Sequence, residues 1–237
     1  MVRRRWRRRK PQALLSGACR AAQHARFGSD LGRLMRGERP TISFVTSAVF
    51  GDIVTMLAGA HAANAYAPPR VTADVDFLVP HERFAEAQAR LRDAGWRKSC
   101  DLVFPNAKLG LYGGACREPV LHTDADILAS PQAWAHAAFT ATPSHDQNGA
   151  RVLPLPFLVL MQLDSACGVD QGNLSRMLGR LDDAAIEHIL EIVERYYDDH
   201  QAAEDVRQYA LIGRWEYQMS HVTRKSDDAE RYGAEDH

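Results

Sequence analysis

The sequence predicts an α+β (α/β) fold: a small mixed sheet flanked by helices, with a helical C-terminal portion. Three stretches carry that expectation. VTADVDFLV (71–79) alternates and is rich in β-branched residues, as a half-buried strand is. HERFAEAQARLRDAGW (81–96) sets Phe84, Ala87 and Leu91 at helical spacing, with Gly95 where a helix-ending glycine belongs. DDAAIEHILEIVERYYDDH (182–200) gathers Ile186, Ile189, Leu190 and Val193 on one helix face. Asp182 and Asp183 lie at its N-terminal end, where negative charge is stabilising.

The remaining elements follow in order. Residues 1–45 are basic and lack a sustained period, which marks an N-terminal arm with one short helix at most. IVTML (53–57) reads as a short buried strand leading to Gly59, and AHAANAY (60–66) as a small-residue helix stopped by Pro68 and Pro69. LVF (102–104), LGLYGG (109–114) and VLHTDADILAS (120–130) are strand pieces, the last ended by Pro131. RVLPLPFLVLMQLDSACG (151–168) starts extended and becomes an apolar helix. RKSDDAERYGAEDH, from 224, is polar throughout and reads as a disordered tail. The expected organisation is an arm over 1–45, a core over 46–150, a helical portion over 151–223 and a tail over 224–237.

Composition narrows the class. At 237 residues, 46% hydrophobic and 25% charged, the chain has the make-up of a globular domain with a real core. No run reaches the apolar length that spans a bilayer, and the segment after the basic start lacks the apolar stretch of an export signal. A cytoplasmic protein with no membrane partner is expected. Cys19, Cys100, Cys116 and Cys167 are far apart and make no C-x-x-C, which argues for reduced thiols over a zinc site or disulfide framework. The net charge is −1 although seven of the first ten residues are basic, so a cationic arm precedes an acidic body. Such an arm either binds nucleic-acid phosphates, RNA included, or stays solvated as a plain tail.

Asp74 and Asp76 raise the functional question, because charge is costly on a strand that packs into a core. With 19 aspartates in 237 residues, about 1.5 Asp-x-Asp pairs arise by chance, and the chain has two, the other being Asp124 and Asp126. Context therefore decides. Residues i and i+2 of a strand share a face, so Asp74 and Asp76 project together while Val75 and Phe77 turn to the core. Adjacent hard carboxylates suit Mg²⁺ or Mn²⁺. A third carboxylate from a neighbouring strand, Asp126 with Asp124 as the fallback, would complete a site that clamps phosphoryl oxygens. A solvated strand edge is the competing reading of the same pair. Upstream, the strand–Gly59–helix turn offers backbone N–H groups to a phosphate. Arg70 is placed to pair with a phosphate or with an aspartate. His61, Lys108 and His122 are packed or surface side chains unless the fold brings them to the carboxylates.

The run LAGAHAANAYAPPRVTADVDFLV (57–79) resembles the nucleotide-binding motif of the polymerase-β-type nucleotidyltransferases, above all the minimal, AbiEii-like toxin–antitoxin branch. Gly59, Ala62, Tyr66, Pro69, Arg70, Thr72, Asp74, Asp76 and Val79 fall on matching positions. A looser likeness runs to about residue 195, through the Asp126 strand and the helix LPFLVLMQL. The resemblance implies a nucleotidyltransferase-type sheet, an NTP substrate and Mg²⁺ (or Mn²⁺). It implies catalytic, metal-binding roles for Asp74, Asp76 and Asp126, and places Gly59, Ala60, Arg70 and Thr72 at the nucleotide. The reaction implied is transfer of NMP to a hydroxyl of a protein, an RNA or a small molecule such as an aminoglycoside. In that branch an antitoxin is the implied partner.

Three departures give a second expectation. Ala60 stands where the family has Gly or Ser, Gln162 where Lys is common, and Asn173 and Arg176 where an acidic pair often lies. Removing one group that stabilises transition-state charge costs on the order of 3 kcal/mol. A catalytically degenerate binding module, or one half of a toxin–antitoxin pair, is therefore the alternative to an enzyme. A nucleic-acid-binding protein acting through its arm is the third expectation.

Overall fold

A computed structural model describes residues 46–70, 72, 74–119, 124–146, 149–165 and 168–232. The arm over 1–45, Cys19, His122, Cys167 and residues 233–237 lie outside them. The described part opens with a short helix α1 (Thr46–Phe50), then β1 (Met56–Ala58), α2 (Gly59–Tyr66) and β2 (Asp74–Leu78). A 3₁₀ turn (His81–Arg83) leads into α3 (Phe84–Asp93), β3 (Arg97–Val103), β4 (Tyr112–Arg117) and β5 (Asp124–Ala129). After α4 (Ala133–Thr140), β6 (Ser144–His145) and β7 (Arg151–Val152) come four helices: α5 (Leu155–Ser165), α6 (Gly168–Leu178), α7 (Asp183–Tyr196) and α8 (Ala202–Tyr232).

The architecture is a seven-stranded mixed sheet flanked by helices, in the order β3-β4-β5-β2-β1-β7-β6. The pairs β2–β5 and β1–β7 are parallel, and the other neighbours are antiparallel. A parallel pair needs a long crossover, and α3, β3 and β4 supply it between β2 and β5. That crossover is what brings the two Asp-x-Asp strands side by side.

Local chemistry accounts for most elements. On β2 the alternation holds: Val75 and Phe77 are buried in the core while Asp74 and Asp76 are half-buried on the other face. α7 begins at Asp182, whose carboxylate accepts from the Ala185 N–H at 2.8 Å, and it buries Ile186, Ile189, Leu190 and Val193, as the helical period predicts. Gly95, with φ +92°, follows the end of α3.

Other boundaries differ from the sequence reading. β1 starts at Met56 and not at Ile53, because Ile53 is buried through a turn closed by its N–H to the Phe50 carbonyl at 3.0 Å. β3 starts at Arg97, well before LVF, since nearly all its side chains are exposed and an edge strand leaves little apolar signature. The strand piece read at LGLYGG is shifted toward the C-terminus, to β4 at Tyr112–Arg117, with Gly113 and Gly114 inside it, where a Cβ on Gly113 would come within 2.9 Å of the Leu128 side chain. α8 continues to Tyr232, through residues 224–232 of the stretch read as a tail. A helix once started gains a hydrogen bond for each residue it adds. Among the described residues Cys100 and Cys116 are free thiols, and no helix is long and apolar enough to cross a membrane.

Candidate active site

The site is built where β1 ends. Ala58 pairs with Asp76 across the antiparallel β1–β2 ladder, and the chain then turns at Gly59 into α2. Gly59 has φ +55°, a conformation that favours glycine. A Cβ built on it would overlap the Asp76 carboxylate and lie 2.8 Å from its Cγ. Two independent constraints, backbone and space, thus require glycine here. The N-cap of α2 is Ala58, whose side chain has no oxygen to cap the helix.

β2 lies parallel to β5 in a register that matches Asp74 with Asp124 and Asp76 with Asp126. In-register neighbours on adjacent strands share a face about 4.8 Å apart, so four carboxylates form two ranks on one face. The Asp74 Oδ1 accepts from the Thr72 hydroxyl at 2.8 Å. Asp124 forms an ion pair with Arg117, its partner on β4, at 3.4 Å. Asp126 lies opposite Ala115 on the β4–β5 ladder and is buried, at 7% exposure. The β2–β5 register sets Asp126 beside Asp76 and Asp124 beside Asp74. Among the described residues no three His, Cys, Asp or Glu side chains are drawn together as a metal-holding group. The arrangement is a rank of two, Asp76 and Asp126, with Asp74 next to them. The donor chemistry, all carboxylate oxygen, fits a hard divalent ion and no soft one.

Thr72 thus orients Asp74. Ala60, buried behind Gly59, contributes only backbone. Arg70 is positioned from two sides. The Asn64 side chain grips its backbone, donating to the Arg70 carbonyl at 2.8 Å and accepting from its N–H at 2.9 Å. Its Nε donates to Asn173 Oδ1 on α6 at 2.9 Å. Among the described residues Arg70 makes no ion pair with either aspartate. Arg176, one turn on from Asn173, donates to the same Oδ1 at 3.0 Å and to the Pro68 carbonyl. Tyr66 of the motif has a structural task, its hydroxyl donating to the Leu153 carbonyl at 2.9 Å and tying α2 to the chain beyond β7.

His61, on the first turn of α2, is half-buried. Burial pulls its pKa down to about 4, against the pull of Asp74 and Asp146, and Arg70 acts in the same direction as burial. The imidazole is neutral at ordinary pH, in the field of the site. Burial pushes the Asp170 carboxyl up, while Ser165, Arg70 and Asn173 oppose it. Its oxygens accept from Ser165 at 2.5 Å and from Asn173 at 3.4 Å. Lys108 does not replace the missing cation: its ammonium donates to Asp199 at 2.8 Å and to the Asp198 carbonyl at 2.9 Å. Gln162 is 3% exposed, and neither end of its amide has a hydrogen-bond partner among the described residues. The roles of Asn64 and Asp170 went unread in the sequence, because short polar residues on helices carry no periodic signal.

No family model matches the chain, and no curated protein does. Solved structures similar to it include the antibiotic-resistance factor ANT(2'')-Ia in complex with adenylyl-2''-tobramycin (17% identity, TM-score 0.37), over 73% of this chain and 93% of that one. The solution structure of ANT(2'')-Ia is similar over 76% of this chain and 92% of that one, at 14% identity and a TM-score of 0.38. A putative nucleotidyltransferase from H. pylori is similar over 69% of this chain and 86% of that one, at 12% identity and a TM-score of 0.40. One of these neighbours is a nucleotidyltransferase by name.

Proposed function

We propose that the chain transfers a nucleoside monophosphate from an NTP to an acceptor hydroxyl, using a divalent ion, Mg²⁺ or Mn²⁺. The observation that carries this is the in-register pair Asp76–Asp126 set against the Gly59 turn. Asp76 and Asp126 would hold the ion with Asp74 assisting, and a bound ion would supply charge stabilisation at the α-phosphate and the leaving group. Asp126, buried beside that position, would accept the proton of the acceptor hydroxyl. The hydroxyl oxygen forms a bond to the α-phosphorus as the bond to pyrophosphate breaks. N–H groups at the start of α2 would face the phosphate chain, as uncapped helix N-termini do. Neutral His61 would add an N–H donor without a charge.

The acceptor classes open to this site are a protein side chain, an RNA end and a small polyhydroxylated molecule. The core over 46–150 would carry the chemistry and 151–223 would cover it. The test is incubation with each labelled NTP, Mg²⁺ and a cell extract. Label should move to one acceptor with the wild type and fail to move with Asp76→Asn or Asp126→Asn. Label that still moves with both variants rejects the reading.

A second reading, a nucleotide- or antitoxin-binding module without turnover, is favoured by one observation: Ala60 and the buried amide of Gln162 stand where a hydroxyl and a cation would serve the phosphates. Calorimetry separates the two. Mg²⁺–NTP binding with label transfer supports the enzyme, and binding without it supports the module.

A further inference from the structure

Arg70 and Arg176 reach one acceptor from two different elements. Arg70 Nε and Arg176 NH1 both donate to the Oδ1 of Asn173, at 2.9 and 3.0 Å. Asn173 is a buried, neutral amide, so it holds two cations together without cancelling either charge. A carboxylate at the same place would make the same two hydrogen bonds and neutralise one of them. Among the described residues neither guanidinium forms an ion pair. Asp170 hydrogen-bonds to Ser165 and to the Asn173 amide nitrogen, and Arg70 acts on it only through its charge, without an ion pair. Holding like charges side by side is unfavourable. Burial and then the charge of Arg70 lower the pKa of Arg176, which is the electrostatic mark of that proximity.

The rest of the frame is rigid. Asn64 clamps the backbone of Arg70 on both its N–H and its carbonyl. Arg176 also donates to the Pro68 carbonyl, which fixes the chain two residues earlier. What remains for Arg70 is its outer edge, the two terminal nitrogens, which have no partner among the described residues. That edge is the fork that binds a phosphate in bidentate fashion. It is carried on the segment that leads, through Thr72, into Asp74 and Asp76.

We propose that Arg70 and Arg176, joined through Asn173, form an anion clamp that takes the phosphate chain of the incoming nucleotide. This rests on the nucleotidyl-transfer reading for the identity of the ligand, and adds Arg176 and Asn173 to the site. In the sequence the two residues look like the loss of an acidic pair. In the fold they bring two guanidinium groups to one neutral amide.

The experiment is calorimetric titration of the full chain with tripolyphosphate in EDTA at low salt, then with ATP under the same conditions. Tripolyphosphate carries the anion without the base, and EDTA removes any contribution from metal held by the aspartates. Arg176→Gln should weaken tripolyphosphate at least tenfold. Asn173→Asp should do the same while leaving the melting temperature unchanged or higher, because the new carboxylate pairs with both arginines. Arg207→Gln, which removes an exposed charge on α8, should leave affinity within twofold. A purely structural role for the trio predicts wild-type affinity in Asn173→Asp, and that result, or no tripolyphosphate binding by the wild type, overturns the clamp. If tripolyphosphate binds through these residues while no label is ever transferred, the clamp stands and the transfer reading falls. If transfer requires Asp76 but Arg176→Gln leaves tripolyphosphate affinity unchanged, the clamp falls alone.

Discussion

The Asp76 carboxylate occupies the space into which any side chain on residue 59 would grow. This contact joins the turn that begins α2 to the carboxylate that lies beside Asp126. Gly59→Ala must therefore push Asp76 off its position as well as strain a backbone at φ +55°. The strain alone costs about 1–2 kcal/mol. Urea denaturation should show a loss of that order, and nucleotidyl transfer should fall more than 100-fold. Wild-type transfer in a destabilised variant would mean that the position of Asp76 is irrelevant to the chemistry.

Asp76→Asn and Asp126→Asn keep shape and remove charge. Each should lower transfer by about 10²–10³-fold, the range expected when a group stabilising transition-state charge is lost. Far-ultraviolet circular dichroism should be unchanged. Asp124→Asn, which breaks the pair with Arg117 at the far rank, should lower transfer by less than tenfold. Equal losses at 124 and 126 would show that the register does not discriminate between them.

His61 makes stability depend on pH. Its pKa is about 4 in the fold against the ordinary 6.5, so between those values the unfolded chain binds a proton that the folded chain refuses. Stability from this group is full above pH 6.5 and declines as pH falls toward 4, by up to about 3 kcal/mol. Asp170 acts with the opposite sign, since burial raises its pKa and the folded state holds that proton more tightly. The difference between wild type and His61→Asn in chemical denaturation isolates the histidine. It should shrink steadily from pH 7 to pH 4. A difference independent of pH contradicts the placement of His61.

Where α6 meets α8, glycine faces glycine. A Cβ on Gly213 would lie 2.8 Å from the Gly179 Cα and would also strike the Ser175 carbonyl, which is backbone and cannot swing away. Gly213→Ala should destabilise by about 2–3 kcal/mol through overpacking. A melting temperature equal to the wild type's would mean the two helices can separate freely at this crossing.

Much of the site was legible because its residues obey short-range rules. Alternation puts Asp74 and Asp76 on one strand face, and Gly59 before a small-residue helix marks a turn that needs positive φ. Asp126 was read ahead of Asp124, but the physical basis for separating them was not legible. It depends on Arg117 from β4 reaching Asp124 and on a two-residue register, both properties of a ladder formed across about 50 residues of chain. Thr72 was assigned to the nucleotide, and its hydroxyl donates to Asp74, a contact the sequence did not show. Arg70 was left between two partners, and the partner it has, Asn173, is 103 residues away on a helix whose own pattern is weak. β3 was shifted and β6 missed for a simpler reason: edge or two-residue strands bury too little to leave a period.

The most direct test of the central claim is anomalous scattering from crystals grown with Mn²⁺ and a non-hydrolysable NTP analogue. The account predicts a Mn²⁺ peak about 2.1 Å from carboxylate oxygens of both Asp76 and Asp126, on the side of the Gly59 turn. A nucleotide bound with no metal between those two side chains, or a metal seated elsewhere, would contradict it.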